Sequence, residues 1–240
     1  MEVLGLRLLV TATLLVLTGA IIDQRMIIAP GKTFEISLTS EIANLSSSCK
    51  CKMRCNALPS CSSWSFVYTN EFNTNTTECR ISDQGPEDLN LNVHANSIYG
   101  YKLSSLNSDI GVITGPDGLL YIKPPLQYPL QEMRDHCDKI PGFRLLILKT
   151  PLQFKFAKEF LATVAHGGLL DLVKTGSNAL RWGDGTFMPT QHYSYIRSIG
   201  RSSDYLFQFR MIDADEFLID YVAIEGTRSF ICQGSENLLW

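Results

Sequence analysis

The chain carries seven cysteines and four histidines, the side chains best able to bind metal or act as nucleophiles. Cys49, Cys51, Cys55, Cys61 and Cys79 crowd the first half, whereas Cys137 and Cys232 stand alone in the second. The Cys-x-Cys-x-x-x-Cys run opening at Cys49 could chelate zinc in a reducing compartment or form disulfides in an oxidising one. His94, His136, His166 and His192 fall in no His-Glu-x-x-His pair, and there is no Gly-x-Ser-x-Gly elbow or phosphate-binding loop. A cysteine nucleophile would need a reduced, activated thiol. With no catalytic pattern in view, the expectation is a non-catalytic protein. Asp213, Asp215 and Glu216 place three carboxylates in four residues. A calcium ion asks for about six to eight oxygens, so this cluster reads as a solvated turn between two strands.

The N-terminus decides which cysteine chemistry applies. Arg7 precedes the ten uncharged residues Leu8 to Leu17, and Thr18-Gly19-Ala20 follows with small residues at the −3 and −1 positions of a cut after Ala20. That order predicts a signal peptide over 1–20. A membrane span needs about 20 apolar residues, and no second long apolar run exists, so the cleaved product is expected to be secreted and extracellular, with no membrane segment. Export favours disulfides over zinc thiolates. It also opens the sequons at Asn44 and Asn75 to glycosylation. The polar stretch Asn70 to Thr77 reads as a loop.

The elements that must position these residues form two groups. The 240 residues are 45% hydrophobic and 19% charged with a net charge of −3, a globular composition. Basic and acidic side chains number 21 and 24, which leaves no basic footprint for nucleic acid. A Gly/Ser/Asn/Pro-rich run predicts a linker over 104–118, separating modules at 21–103 and 119–233 and leaving a tail at 234–240. In the first module Phe34, Ile36 and Leu38 alternate with polar neighbours as in a strand. A helix is predicted from Ser48 to Leu58, with Cys51, Cys55 and Leu58 on one face and Cys49 roughly opposite. Trp64 to Tyr68 is a second strand, and Ile98 to Tyr101 closes the sheet. In the second module Leu130, Met133, Cys137 and Ile140 recur at helical spacing. Thr150, Pro151 and Gln153 form a capping box opening a helix that runs to Ala165. Strands follow at Tyr205–Ile212, Phe217–Ile224 and Ser229–Cys232. The fold class is α+β, in two disulfide-stabilised modules, each a twisted antiparallel sheet with one or two helices.

The first half resembles the PAN/apple module, on Cys51 and Cys55 in a helix, Cys61 in Pro59-Ser60-Cys61-Ser62-Ser63-Trp64-Ser65, and Cys79 in Glu78-Cys79-Arg80-Ile81. The resemblance implies pairs Cys51–Cys79 and Cys55–Cys61; four cysteines alone permit three connectivities. The second half resembles a C-type lectin-like domain over about 118–233. The matching elements are Cys137, Thr150 to Ala165, Leu169-Leu170-Asp171-Leu172, Trp182-Gly183-Asp184-Gly185 and Phe230-Ile231-Cys232-Gln233. That likeness implies a Cys137–Cys232 disulfide. It also exposes departures: Met188-Pro189-Thr190 lacks the flanking carboxylate or amide of the family's calcium loop, and of its strand motif only Asp220 remains. No calcium or other cofactor is therefore expected, although calcium-dependent sugar binding is the family's habit.

Together the resemblances imply a secreted, non-catalytic recognition protein. It would bind an extracellular glycan or glycoprotein through Tyr193, Tyr195, Arg197, Arg201 and Tyr205 near the long loop. The alternative is an adhesion or assembly component that joins proteins without binding sugar. The implied pairs leave Cys49 over, to carry a small-thiol cap or link two chains as a dimer. A frayed helix start would instead let Cys49 replace Cys51 as the partner of Cys79.

Overall fold

A computed structural model describes residues 25–71, 74–106, 111–124, 127–161, 168–175, 179–196, 205–211, 217–223 and 227–235. The first half is one antiparallel sheet with a helix on it. Its elements are β1 (Met26–Phe34), β2 (Glu41–Ala43), α1 (Ser48–Ala57), β3 (Ser63–Glu71), β4 (Thr74–Ser82) and β5 (Leu91–Lys102), and the strand order is β1-β5-β3-β4-β2. Ser47 caps α1, its hydroxyl accepting from the Lys50 amide at 3.3 Å. Disulfides Cys51–Cys79 and Cys55–Cys61 fasten the helix to β4 and to the turn that follows it.

Alternation along the strands sends side chains to two different cores. On the α1 face lie Cys51, Cys55, Cys61, Trp64, Phe66, Cys79 and Ile81, with Met26, Ile28 and Ile98 packed against them. Gly100 leaves room there for Trp64, whose indole would meet any Cβ at that position at 2.6 Å. On the opposite face Ile27, Ala29, Phe34, Tyr99 and Tyr101 join Leu120, Ile122, Met133, Cys137, Phe143 and Cys232 of the second half in one buried cluster. The Tyr101 hydroxyl donates to the Pro141 carbonyl at 2.8 Å across the same boundary. Both faces of this sheet are therefore covered, one by its own helix and one by the other half of the chain.

The second half runs β6 (Val112–Thr114), β7 (Leu120–Ile122), β8 (Tyr128–Pro129), α2 (Leu130–Lys139), β9 (Phe143–Leu145), α3 (Pro151–Leu161), β10 (Gly168–Leu170), β11 (Leu172–Thr175), β12 (Ala179–Trp182), β13 (Tyr205–Met211), β14 (Phe217–Ala223), β15 (Thr227–Arg228) and β16 (Cys232–Gly234). Its strands divide into sheets ordered β6-β7-β16-β9, β10-β13-β14, β11-β12 and β15-β8. Cys137 of α2 is bonded to Cys232 of β16. The molecule is α+β, with antiparallel sheets, three helices and three disulfides among the described residues. None of those helices is long and apolar enough to cross a membrane.

Several expectations need correction. The strand expected at Phe34 to Leu38 ends at Phe34, and Ile36–Leu38 is a 3-10 turn with Ile36 exposed. The polar stretch from Asn70 to Thr77 is not simply a loop. Thr69, Asn70 and Glu71 pair with Thr76, Asn75 and Thr74, because backbone pairing in a hairpin does not require apolar side chains. The segment Ile98 to Tyr101 lies between β1 and β3 rather than at a closing edge. The expected linker run carries structure at both ends: Leu103–Ser105 is a 3-10 turn with Leu103 and Leu106 buried, and Val112–Thr114 is β6. Of the helix expected to run to Ala165, 162–165 lie outside the described residues.

Candidate recognition surface

The Trp-Gly-Asp-Gly segment sits at the end of the β11–β12 hairpin, where Leu172 pairs with Trp182. Gly185 adopts φ 86 and donates to the Trp182 carbonyl at 2.8 Å, while the Trp182 amide donates to Thr186 O at 2.8 Å, which closes a tight turn. Asp184 faces inward. Its Oδ1 accepts from the Thr186 amide at 2.9 Å and hydroxyl at 2.7 Å, and its Oδ2 is paired with Lys149 Nζ and lies 3.7 Å from Arg144 Nη1. Burial alone would push the Asp184 carboxyl up, but the bonds from Lys149 and Thr186 outweigh it and hold the group below the usual carboxylate range. Asp171 is spent in the same way: Arg134 Nε donates to it at 3.1 Å, and the Gly183 amide donates to its carbonyl at 2.8 Å. These two carboxylates hold the turn and are not offered to solvent.

What the turn does offer is Phe187, at 60% exposure. An antiparallel bridge joins it to Arg181, whose guanidinium carbon lies 4.6 Å from the Phe187 ring centroid. The next residue, Met188, points the other way into the core, and its amide bonds to Leu180 O at 2.9 Å. Phe187 is thus a large ring held on a fixed backbone, with a cation on one face. Nothing in the sequence singled it out, since one aromatic residue in a polar loop carries no periodic signal.

Tyr193, expected as a ligand contact, lies in the 3-10 turn Thr190–Tyr195, packs against the core, and accepts the Leu180 amide on its hydroxyl at 3.3 Å. The residue is half-buried. Tyr195 closes that turn and Tyr205 opens β13 opposite Ala223. Arg197, Arg201, Asp213, Asp215 and Glu216 lie outside the described residues. Asp220 stands in β14 opposite Gln208. Among the described residues, no group of three or more His, Cys, Asp or Glu side chains could hold a metal ion. Cys49 is exposed and unbonded. Asn44 is exposed just after β2, and Asn75 lies in β4 opposite Asn70.

No protein-family model matches the sequence, and no curated protein matches it either. Solved C-type lectins are similar to part of it. The C-type lectin domain of murine dendritic cell inhibitory receptor 2, in complex with N-glycan, is 14% identical; the match covers 54% of this chain and 98% of that one, with a TM-score of 0.41. TC14, a C-type lectin from the tunicate Polyandrocarpa misakiensis, is 16% identical over 49% of this chain and 98% of its own, with a TM-score of 0.40. The C-type lectin CEL-I from Cucumaria echinata is 13% identical over 53% and 96%, also with a TM-score of 0.40.

Proposed function

We propose that this chain is a secreted, non-catalytic recognition protein that binds carbohydrate or glycoprotein through the surface around Phe187 and Arg181. The observation that carries this reading is the exposed Phe187 ring pinned beside the Arg181 guanidinium. The C–H face of a sugar lies flat on such a ring, and the sugar hydroxyls can accept from the guanidinium. Binding is independent of calcium, because Met188-Pro189-Thr190 brings no carboxylate or amide next to the ring. Export through a leader at 1–20 fits three disulfides and an exposed sequon at Asn44. The half at 21–103 is read as a PAN/apple-like module on its cysteine pattern. A glycan array with and without chelator tests the assignment. Retention that survives chelator and is lost in Phe187→Ala is expected. Chelator-sensitive binding of mannose or galactose would overturn the calcium-free reading, and retention unchanged in Phe187→Ala would overturn the surface.

A second reading, protein assembly without sugar binding, is favoured by α1. Cys49 and Met53 are one helical turn apart and both exposed, Met53 at 69%. On this reading the face meets another protein, and Cys49 joins two chains. A non-reducing gel should then show a dimer that vanishes in Cys49→Ser. Peptide mapping that finds Cys49 bonded to Cys79 would refute it.

A further inference from the structure

The two halves meet along a shared core, but they part where β1 slips register. Pairing with β5 shifts between Pro30 and Lys32, and Gly31 takes φ 71 there. Where α2 ends, the chain turns through Pro141 and Gly142, the latter at φ 86. A cleft of about 510 Å³ lies along this seam. Ala29, Pro30, Leu89 and Leu91 supply apolar lining from the first half, and Pro141 and Gly142 supply it from the second.

Charge does not choose the occupant. Lys32 and Lys139 line the cleft together with Glu87 and Asp138. Asp138 also feels Arg134 and Arg144 on one side of the balance and Asp171 and Asp135 on the other, and Glu87 has an interaction of its own. With these neighbours counted, positive and negative groups are matched four against four, so no net field draws a free ion.

The path of the chain does choose. β16 runs antiparallel to β9 with Gly234 opposite Phe143, and the Ser235 amide donates to the Gly142 carbonyl at 3.1 Å. Ser235 is buried, so the last described residue is seated on the wall of the cleft. Glu236-Asn237-Leu238-Leu239-Trp240 come next in the sequence, three of the five being large and apolar. Continuing the register of β16 carries them past Gly142 towards Pro141. Five extended residues reach roughly 16–18 Å. So short a tether holds Leu238, Leu239 and Trp240 near the apolar lining at an effective concentration on the order of millimolar. Each of these side chains leaves water on entering. We propose that residues 236–240 dock in the cleft of their own chain and strap the two halves together across the seam.

Tryptophan fluorescence tests this directly. The chain has three tryptophans, and Trp64 and Trp182 are each 1% exposed. Quenching by acrylamide in the full disulfide-bonded chain therefore reports on Trp240. The native chain should show no readily quenched component. Leu238→Ser combined with Leu239→Ser should create one of about a third of the emission, one tryptophan of three, and adding Trp240→Phe should remove it. Pro30→Glu and Lys139→Glu alter exposed lining positions, one in each half, and set a carboxylate against the apolar segment. Each should release Trp240 to the same extent. A variant that fails to fold is recognised because Trp64 and Trp182 then quench as well, and the other lining variant carries the test. Three results would overturn the proposal: Trp240 as quenchable in the native chain as in the double-serine variant, protection kept in the folded lining variants, or protection lost on dilution, which would seat the segment on a second copy.

Discussion

Asp171 and Asp184 turn their carboxylates inward, and this makes the glycine between Trp182 and Asp184 the most demanding residue of its turn. A Cβ on Gly183 would overlap the Asp171 carboxylate, which Arg134 prevents from swinging aside. Gly183→Ala is expected to cost about 1–3 kcal/mol through overpacking. The melting temperature should drop by several degrees, at roughly 2–4 °C per kcal/mol for a chain of this size. Circular dichroism melts check it, and an unchanged midpoint would mean that the turn can open without penalty. Phe187 makes the opposite point. Its ring supports little of the core, so Phe187→Ala in the proposed binding tests should report on recognition and leave stability nearly intact.

At the scale of elements, the capping box at α3 is wired into the rest of the core. The Thr150 hydroxyl accepts the Gln153 amide at 3.2 Å, and Gln153 Oε1 accepts the amides of Lys149 at 2.7 Å and Thr150 at 3.2 Å. Gln153 Nε2 also donates to Asp117 at 3.2 Å, the carboxylate that takes the Tyr121 hydroxyl at 2.8 Å. Thr150→Ala should cost about 1 kcal/mol, the ordinary value of a cap. Gln153→Ala strips partners from several buried groups and should cost about 1–3 kcal/mol. Equal losses in urea denaturation would show that the Asp117 connection carries nothing. α2 contributes a pH dependence through His136, which packs against Tyr128 at 4.8 Å and Phe230 at 5.5 Å. Burial, and then the Lys139 charge, hold its pKa below the free value. The unfolded chain binds this proton more readily, so stability is complete above about pH 6.5 and falls as the pH drops through and below that value. Melting temperatures should decline from pH 7 to pH 5, and His136→Phe should flatten the decline; a slope that the substitution leaves unchanged would place the effect on another group.

These same elements show what the chain's pattern could reveal. The spacing of Met133, Cys137 and Ile140 reads as helix α2, and the Thr150–Gln153 pair marks the start of α3, because both signals are local. β1 was missed because Met26 to Ala29 is buried on alternating sides against two different partners, so its apolar run shows no alternation. The packing of Tyr193 and the exposure of Phe187 are set by bonds and a bridge back to Leu180 and Arg181 of β12, contacts that leave no periodic signal in the sequence.

For the whole molecule, the sheet covered on both faces decides how independent the halves can be. The first half is not a free head on a tether: Ile27, Phe34, Tyr99 and Tyr101 rest on the second half. Residues 25–106 produced alone should expose that face, bind a hydrophobic dye and aggregate, while the full chain stays monodisperse apart from any Cys49 dimer. A soluble, dye-negative fragment would show that the interface is an optional docking of two complete domains.

The two-faced sheet also sets a schedule for synthesis. From Leu103, where the first sheet is complete, to Cys232, where its second cover is sealed, the ribosome must add about 130 residues. At about 5–20 residues per second this takes roughly 6–26 s. For that interval the α1 face can close around its disulfides while the tyrosine face waits uncovered, and the nascent chain is most in need of a chaperone during that wait.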